Sequence, residues 1–446
     1  MFRRYSIFAL LVVVLMATAC APVATSTPIV TVVRETVQVP VTASPGPAAT
    51  AQQVTIVFQE PWSLDSDRGK VIQGLVSDFM ADNPDIRVVI KDTGVKNEVF
   101  ITEVLSNSAA DVIMFGEDGV ANFGPQEAFL DLVPYVAQWD ETKRNDFFES
   151  VWQFGTYEDK QYGVPWIAHS MQLIYNRDMF REAGLDPDNP PKTWDELFVA
   201  AQALTKGDQY GFALVGKQGH DMAWSWYNFV WQNGGELAMQ ENGQWQIALN
   251  SPEALEALSF YIQLKEVAPP ESTSTDGGGA EALFTQKRVA MFVLGPWNVA
   301  SVRKNAPDID VGVAPLPYSK QPGTTVGAGI LTIPRTSQNS EAAWRLIDFL
   351  TEVDSQVKLV SGGFAFRIPT RQSATQDPWF QENPEYIPFV EGLSYGHPPT
   401  VIPIAQKYNQ AHNEVIQSEL SRTFIGEETP EEALANMEKN GNTLIQ

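Results

Sequence analysis

Val54-Thr55-Ile56-Val57-Phe58, then Val71, Ile72, Leu75, Val76, Phe79 and Met80, then 86–90, and finally Asp111-Val112-Ile113-Met114-Phe115 decide the fold class. The first segment is β-branched, the composition of a strand. The six apolar positions from 71 to 80 recur at helical spacing and make one face, which Asn83-Pro84 terminates. A second strand is predicted over 86–90 and a second helix over about 96–106. The run 112–115 shows no polar alternation, which suits a strand covered on both faces of a parallel sheet. This βαβαβ order predicts an α/β lobe with helices on both faces.

The rhythm returns after Tyr162. Strands are predicted at 173–175, 210–215 and 289–294, and helices at 177–183, about 222–232, from Ser251-Pro252, at 281–286 and at 340–351. Thr193-Trp194-Asp195-Glu196 is a capping box opening a helix to about Leu204. Thr429-Pro430-Glu431-Glu432 is another, with its helix ending near Asn440-Gly441. The segment 266–279 reads as a loop. At 446 residues the chain exceeds one ordinary domain, so a second lobe is expected.

Composition narrows the function. Lys plus Arg number 30 against 54 Asp plus Glu, a formal charge of −24. Such a surface repels phosphate backbones and excludes nucleic acid as a partner. One cysteine allows no intrachain disulfide, and one cysteine with four histidines in no cluster offers no zinc site. No metal and no cofactor is expected, a surface Ca²⁺ on loop acids being the one metal left open.

Met1-Phe2-Arg3-Arg4, an apolar run over 7–16 and Ala17-Thr18-Ala19 form a secretory signal over 1–19. The run is too short to span a bilayer, which takes ~20 residues. Cys20 comes directly after the small residues. The segment resembles a bacterial lipobox, with Ala17 where leucine is usual, and this implies lipid attachment at Cys20. Residues 21–53 are mostly Ala, Val, Thr, Pro, Ser and Gln, without an aromatic residue. They read as a flexible tether, from 20 to 53, reaching roughly 30 Å.

Tyr162-Gly163-Val164-Pro165-Trp166, then Leu173-Ile174-Tyr175-Asn176-Arg177-Asp178-Met179-Phe180, Ala183-Gly184-Leu185 and Pro191-Lys192-Thr193-Trp194-Asp195-Glu196-Leu197 stand in order. After them come Lys287-Arg288-Val289-Ala290-Met291-Phe292, Gly295-Pro296-Trp297, Val313-Ala314-Pro315-Leu316-Pro317 and Gly327-Ala328-Gly329. From about Val54 onward the chain resembles the family 1 extracellular solute-binding proteins of sugar ABC importers, the maltodextrin-binding type. The resemblance implies a two-lobed, type II periplasmic-binding-protein-like α/β fold with three hinge crossings and an interlobe cleft. By that likeness lobe one is 54–163 plus 324–375, lobe two is 164–323 plus 376–446, and Tyr162 to Pro165 is the first crossing. It also implies no enzyme activity, a carbohydrate ligand, ABC permease partners, a monomer, and an extracytoplasmic place on the bacterial cell membrane.

Sugar binding requires aromatic faces for pyranose C–H patches and carboxylates, amides or arginine for hydroxyls. In α/β lobes these lie on loops after strands. The candidates are Glu60 and Trp62 after the first strand, and Glu117 and Asp118 after the strand ending at Phe115. By family position Phe115 matches a stacking aromatic, Asp118 a carboxylate that binds hydroxyls, and Trp297 a stacking tryptophan. Trp166 and His169 lie just past the expected crossing, and His169 stands where the maltodextrin binders carry a carboxylate. Trp224 and Trp231 share a helix face, with Trp226 pointing away. Trp231 and Asn233 are kept as candidates. Gly329, in a glycine pair (Gly327-Ala328-Gly329) that opens a strand and permits close backbone approach, and Arg367 complete the set. Two other functions remain open. One is a polyol phosphate binder, for a ligand such as glycerol 3-phosphate, with Arg367 as its cation. The other is a secreted glycoside hydrolase with Glu60 and Glu117 as paired carboxylates.

Overall fold

The deciding run folds as β1 (Val54–Gln59), a helix Asp67–Asp82, β2 (Ile86–Lys91), a helix Asn97–Leu105 and β3 (Val112–Phe115). These come from a computed structural model that describes residues 53–364, 367–400 and 404–446. The secretory segment, Cys20 and all of the tether but Gln53 lie outside the described residues. Ser66 caps the first helix by accepting the Gly69 amide at 3.0 Å, and its apolar face packs Ile72, Leu75, Val76 and Phe79 under β1. β2 and β3 flank β1, both parallel to it.

The later strands of the two main sheets are β4 (Gly163–Ser170), β5 (Gln172–Asn176), β6 (Tyr210–Ala213), β7 (Val289–Leu294), β8 (Val311–Ala314), β9 (Thr324–Thr332), β10 (Ile368–Pro369) and β11 (Gly396–His397). The first sheet has the order β10-β4-β9-β3-β1-β2, with β11 against the start of β9. β9 runs antiparallel to both β3 and β4, so the sheet is mixed rather than wholly parallel. The second sheet has the order β8-β5-β7-β6, with only β7 and β6 parallel. Helices cover these sheets, as the α/β reading predicts.

The change of sheet does not fall at Tyr162 to Pro165. β4 pairs with β9 along its length, so 164–170 belongs to the first sheet and the chain passes to the second at Met171. It returns between Ala314 and Thr324. This junction is hydrogen-bonded throughout. The Met171 amide meets Thr325 O and Thr324 Oγ1, both at 3.1 Å, and Thr324 Oγ1 donates to Met171 O at 2.6 Å. Gln172 donates to Pro388 O and accepts the Leu316 amide, while Asn228 accepts the Thr325 amide at 2.6 Å. Buried polar groups satisfied in this way hold the two sheets in register.

Two other expectations change. The loop 266–279 contains two short 3₁₀ turns and the start of the helix Gly277–Thr285. The last helix, Pro430–Ile445, runs through Gly441 instead of ending there. A Cβ at Gly441 would lie 2.8 Å from the Ile247 side chain, so the glycine permits close packing rather than chain reversal. Both predicted capping boxes form, at Thr193 and at Thr429.

Candidate ligand cleft between the lobes

The cleft is built from segments just beyond strand carboxyl ends, where open α/β sheets place their ligands. β3 leads into Gly116-Glu117-Asp118. β6 leads, through a loop, to the helix His220–Gln232, and β7 leads through Gly295 to the helix Pro296–Asn305. Arg367 enters just before β10. Two cavities of about 390 and 580 Å³ share Glu117, His220 and Trp224 as lining residues. The inner one adds His169, Trp297, Asn298 and Arg367. The outer one adds Asp118 and carboxamides including Asn122, Asn409 and Asn413.

The inner chamber is charged but ordered. The Arg367 guanidinium lies over the Trp297 ring, 4.8 Å from its centroid, a cation–π contact. The His169 ring meets Trp297 edge-on at 5.3 Å. A Cβ on Gly327 would come within 2.3 Å of His169 Cε1, so only glycine lets that ring lie on β9. Burial, aided by Arg367 and His220, holds His169 well below the ordinary imidazole range. It is therefore neutral, one ring nitrogen donating and the other accepting. Burial lowers Arg367 to about 10, leaving it charged at neutral pH.

Glu281 accepts hydrogen bonds from Asn298 Nδ2 and Ser301 Oγ. With its NH₂ committed there, Asn298 must turn its carbonyl oxygen the other way. That oxygen is buried and has no partner among the described residues. Asp221 Oδ2 accepts the Gly277 amide at 3.0 Å.

Burial, with Asp118 adding and Arg367 opposing, pushes the Glu117 carboxyl up to about 7 from its ordinary 4.5. The native protein thus retains a proton that the unfolded chain releases in that window. This contribution lowers stability as pH rises from 4.5 to about 7 and is flat above. Glu117→Gln is expected to raise the melting temperature of ligand-free protein at pH 8, with the gain shrinking toward pH 5. An equal gain at both pH values would contradict the assignment.

Of the residues chosen from sequence, Glu117, Asp118, His169, Trp297 and Arg367 line these chambers. The others lie elsewhere. Phe115 is buried among Phe100, Phe123 and Phe129. Trp166 is fully buried beside Phe58 and half-buried Trp62. Trp231 is packed on Tyr227 and stacked with His397 at 5.0 Å. Asn233 is buried, donating to Glu253 O and Glu256 Oε2 at the end of its helix. A Cβ on Gly329 would meet Ile167 and Met114, so its close approach is to core side chains. Glu60 is buried and accepts the Trp62 amide at 2.7 Å, with burial and Asp92 pushing it up to about 7. It lines neither chamber, so Glu60 and Glu117 do not flank one cavity as a hydrolase pair would.

Sequence reasoning passed over Trp224, His220, Asn298 and His412. Trp224 and Asn298 carried usable signals: the start of the helix after a strand, and the position beside Trp297. Nothing in the sequence brings His412 to His220.

Residues 63–357 match the family model described as bacterial extracellular solute-binding protein. The sn-glycerol-3-phosphate-binding periplasmic protein of Escherichia coli is 25% identical over 439 residues, 89% of this chain and 94% of that protein. The maltotriose-binding protein of Pyrococcus abyssi is 21% identical over 340 residues, 74% and 69% of the two chains. A solved ABC transporter solute-binding protein from Thermotoga lettingae, bound with α-D-tagatose, superposes with a TM-score of 0.74 at 27% identity. It covers 88% of this chain and 100% of its own. The two-lobed α/β periplasmic-binding-protein-like fold is therefore shared over most of the length, and the chain belongs to the bacterial extracellular solute-binding protein family.

Proposed function

We propose that this protein captures a neutral mono- or oligosaccharide in the cleft, performs no chemistry on it, and delivers it to an ABC permease. The observation that carries the reading is the lining of the inner chamber, where Trp224 and Trp297 stand beside Glu117, His169 and Arg367. Aromatic surface next to a few hydrogen-bonding side chains is what a sugar asks of a cleft. A sugar hydroxyl can accept from Arg367 or His169 while donating its own proton to a carboxylate. Glu117 and Asp118 would take further hydroxyls, and Trp224 and Trp297 offer apolar surface for ring C–H groups. The relatives whose names specify maltotriose and tagatose support the same class. The amino-terminal pattern supports attachment through lipid on Cys20, outside the cytoplasm, with the lobes hinging at the 170–172 and 314–324 connections.

A phosphorylated polyol is the second reading. It is favoured by Arg367 in the chamber with Arg68 within electrostatic reach, and by the glycerol-phosphate-binding relative. Against it, Glu117, Asp221 and Glu281 line the same chamber.

Thermal shift of protein unfolded and refolded to strip carried-over ligand separates the two. The compounds are D-tagatose, maltose, maltotriose and sn-glycerol 3-phosphate. Ligand at 100 times its Kd adds about 2.7 kcal/mol. Stabilisation by a sugar alone is expected. Stabilisation by the phosphate alone would transfer the assignment to the second reading.

A further inference from the structure

Tyr408, Tyr227, His412 and His220 make a hydrogen-bonded chain from the core of the second lobe to the cleft. The Tyr408 hydroxyl donates to the Tyr227 hydroxyl at 3.1 Å. That hydroxyl lies 2.7 Å from His412 Nδ1, and His412 Nε2 lies 3.3 Å from His220 Nδ1. Both tyrosines are fully buried and His412 is 4% exposed, whereas His220 is exposed and lines both chambers. His412 opens a π turn, His412–Ile416, at the end of the helix Ala405–Ala411. Such turns recur at functional sites. The His220 ring also rests against Trp224, with centroids 4.2 Å apart.

Donor accounting sets the direction of the chain. A neutral imidazole has one donor and one acceptor nitrogen, and a phenol has one proton. Among the described residues the Tyr408 hydroxyl has no partner but Tyr227. Running the chain the other way would strand a buried O–H proton, which costs more than leaving a hydroxyl lone pair unused. Tyr408 therefore donates to Tyr227 and Tyr227 donates to His412 Nδ1. His412 must then carry its proton on Nε2 and donate it to His220 Nδ1. His220 is left with its proton on Nε2.

We infer that the Tyr408–Tyr227–His412 chain locks His220 as the Nε2–H tautomer, so that His220 is a fixed hydrogen-bond donor selecting a ligand oxygen acceptor where the two chambers meet. His412 acts as a positioning residue. The inference rests on the proposed carbohydrate reading only in taking that acceptor to be a sugar oxygen. A hydroxyl meeting that N–H can accept from it while donating to Glu117, so the fixed donor orients whichever sugar oxygen faces it.

Long-range ¹H–¹⁵N NMR of the ¹⁵N-labelled protein at pH 7.5 reads the tautomers directly. Four histidines make the spectrum assignable by single substitutions. Nε2–H is expected for both His220 and His412, with Tyr227→Phe releasing His412 and mixing the His220 tautomers. Nδ1–H on His220 in the unmodified protein overturns the inference, as does a Tyr227→Phe spectrum with both rings unchanged. The binding arm uses whichever of maltose, maltotriose and D-tagatose stabilises the unmodified protein. His220→Leu is expected to weaken it about tenfold or more, and His220→Gln, which keeps an N–H near the same place, to restore most of that loss. Equal affinity of the Leu variant removes the ligand role. If no sugar binds the unmodified protein, the carbohydrate reading fails while the tautomer result still decides the chain.

Discussion

Trp224→Leu is expected to weaken the best-bound sugar of the panel by about thirtyfold or more while the protein still folds cooperatively. Buried aromatic anchors at the centre of an interface are worth ~2 kcal/mol or more, and 1.4 kcal/mol is tenfold in affinity. Trp224 qualifies by place. Its ring borders both chambers, sits against His220 and lies 6.2 Å from His169. Leucine keeps apolar bulk on the helix face but removes the flat surface on which a sugar ring would rest. Isothermal titration of the refolded variant measures the loss, and circular dichroism reports the fold. Unchanged affinity in a folded variant would place the aromatic contact elsewhere, with Trp297 as the remaining candidate of the inner chamber. Trp297 is the weaker choice, because Arg367 already covers its ring and Gly295 lies so close that a Cβ there would touch it at 2.2 Å.

The contrast between Trp224 and Trp231 shows how far the sequence carries. Seven residues at 100° each bring both to nearly the same helix face, and that reading is sound. Yet seven residues also separate them by about 10 Å along the axis. Trp224 stands in the second turn, at the cleft, and Trp231 lies two turns deeper, stacked on His397. Periodicity reports the face and is silent on depth.

The first sheet shows a similar limit. The β1-to-β3 unit is legible because its strands and helix carry plain β-branched and 3.6-residue patterns. β4 is not, because Gly163 and Pro165 fall in the expected crossing, and β9 is legible only as a strand opened by Gly327, short of its start at Thr324. In the structure those glycines answer to crowding: a Cβ at Gly163 would lie 2.4 Å from Ile330 Cγ2. Crowding between segments about 160 residues apart leaves no local signature. The same holds for the cleft. Glu117, Asp118 and Trp297 come after strands and can be found, whereas the pairing of His220 with His412 depends on tertiary packing alone.

Trp166→Ala is expected to destabilise the protein by about 3–5 kcal/mol, the range for emptying a large aromatic site in a core. Affinity of the folded fraction for sugar should change by no more than about threefold, since the residue lines neither chamber. The sequence places Trp166 just past the expected crossing, among the ligand candidates. In the structure it shares a strand face with core residue Val164, next to a β-bulge. Ile330 opposes Pro165 and Gly329 opposes Ile167, so Trp166 is the extra residue with none across from it. The bulge brings the adjacent Ile167 into the same core as Trp166, with Phe58 5.9 Å from the Trp166 ring and Val164 and Leu331 in the same cluster. Fully buried, this side chain supports β1 and β4 from beneath the cleft rather than from within it. A large fall in the urea midpoint, with near-normal titration of sugar at low temperature, is the predicted result. An unshifted midpoint with lost binding would put Trp166 back at the ligand and would require β4 to lie in a different register from the one bulged here.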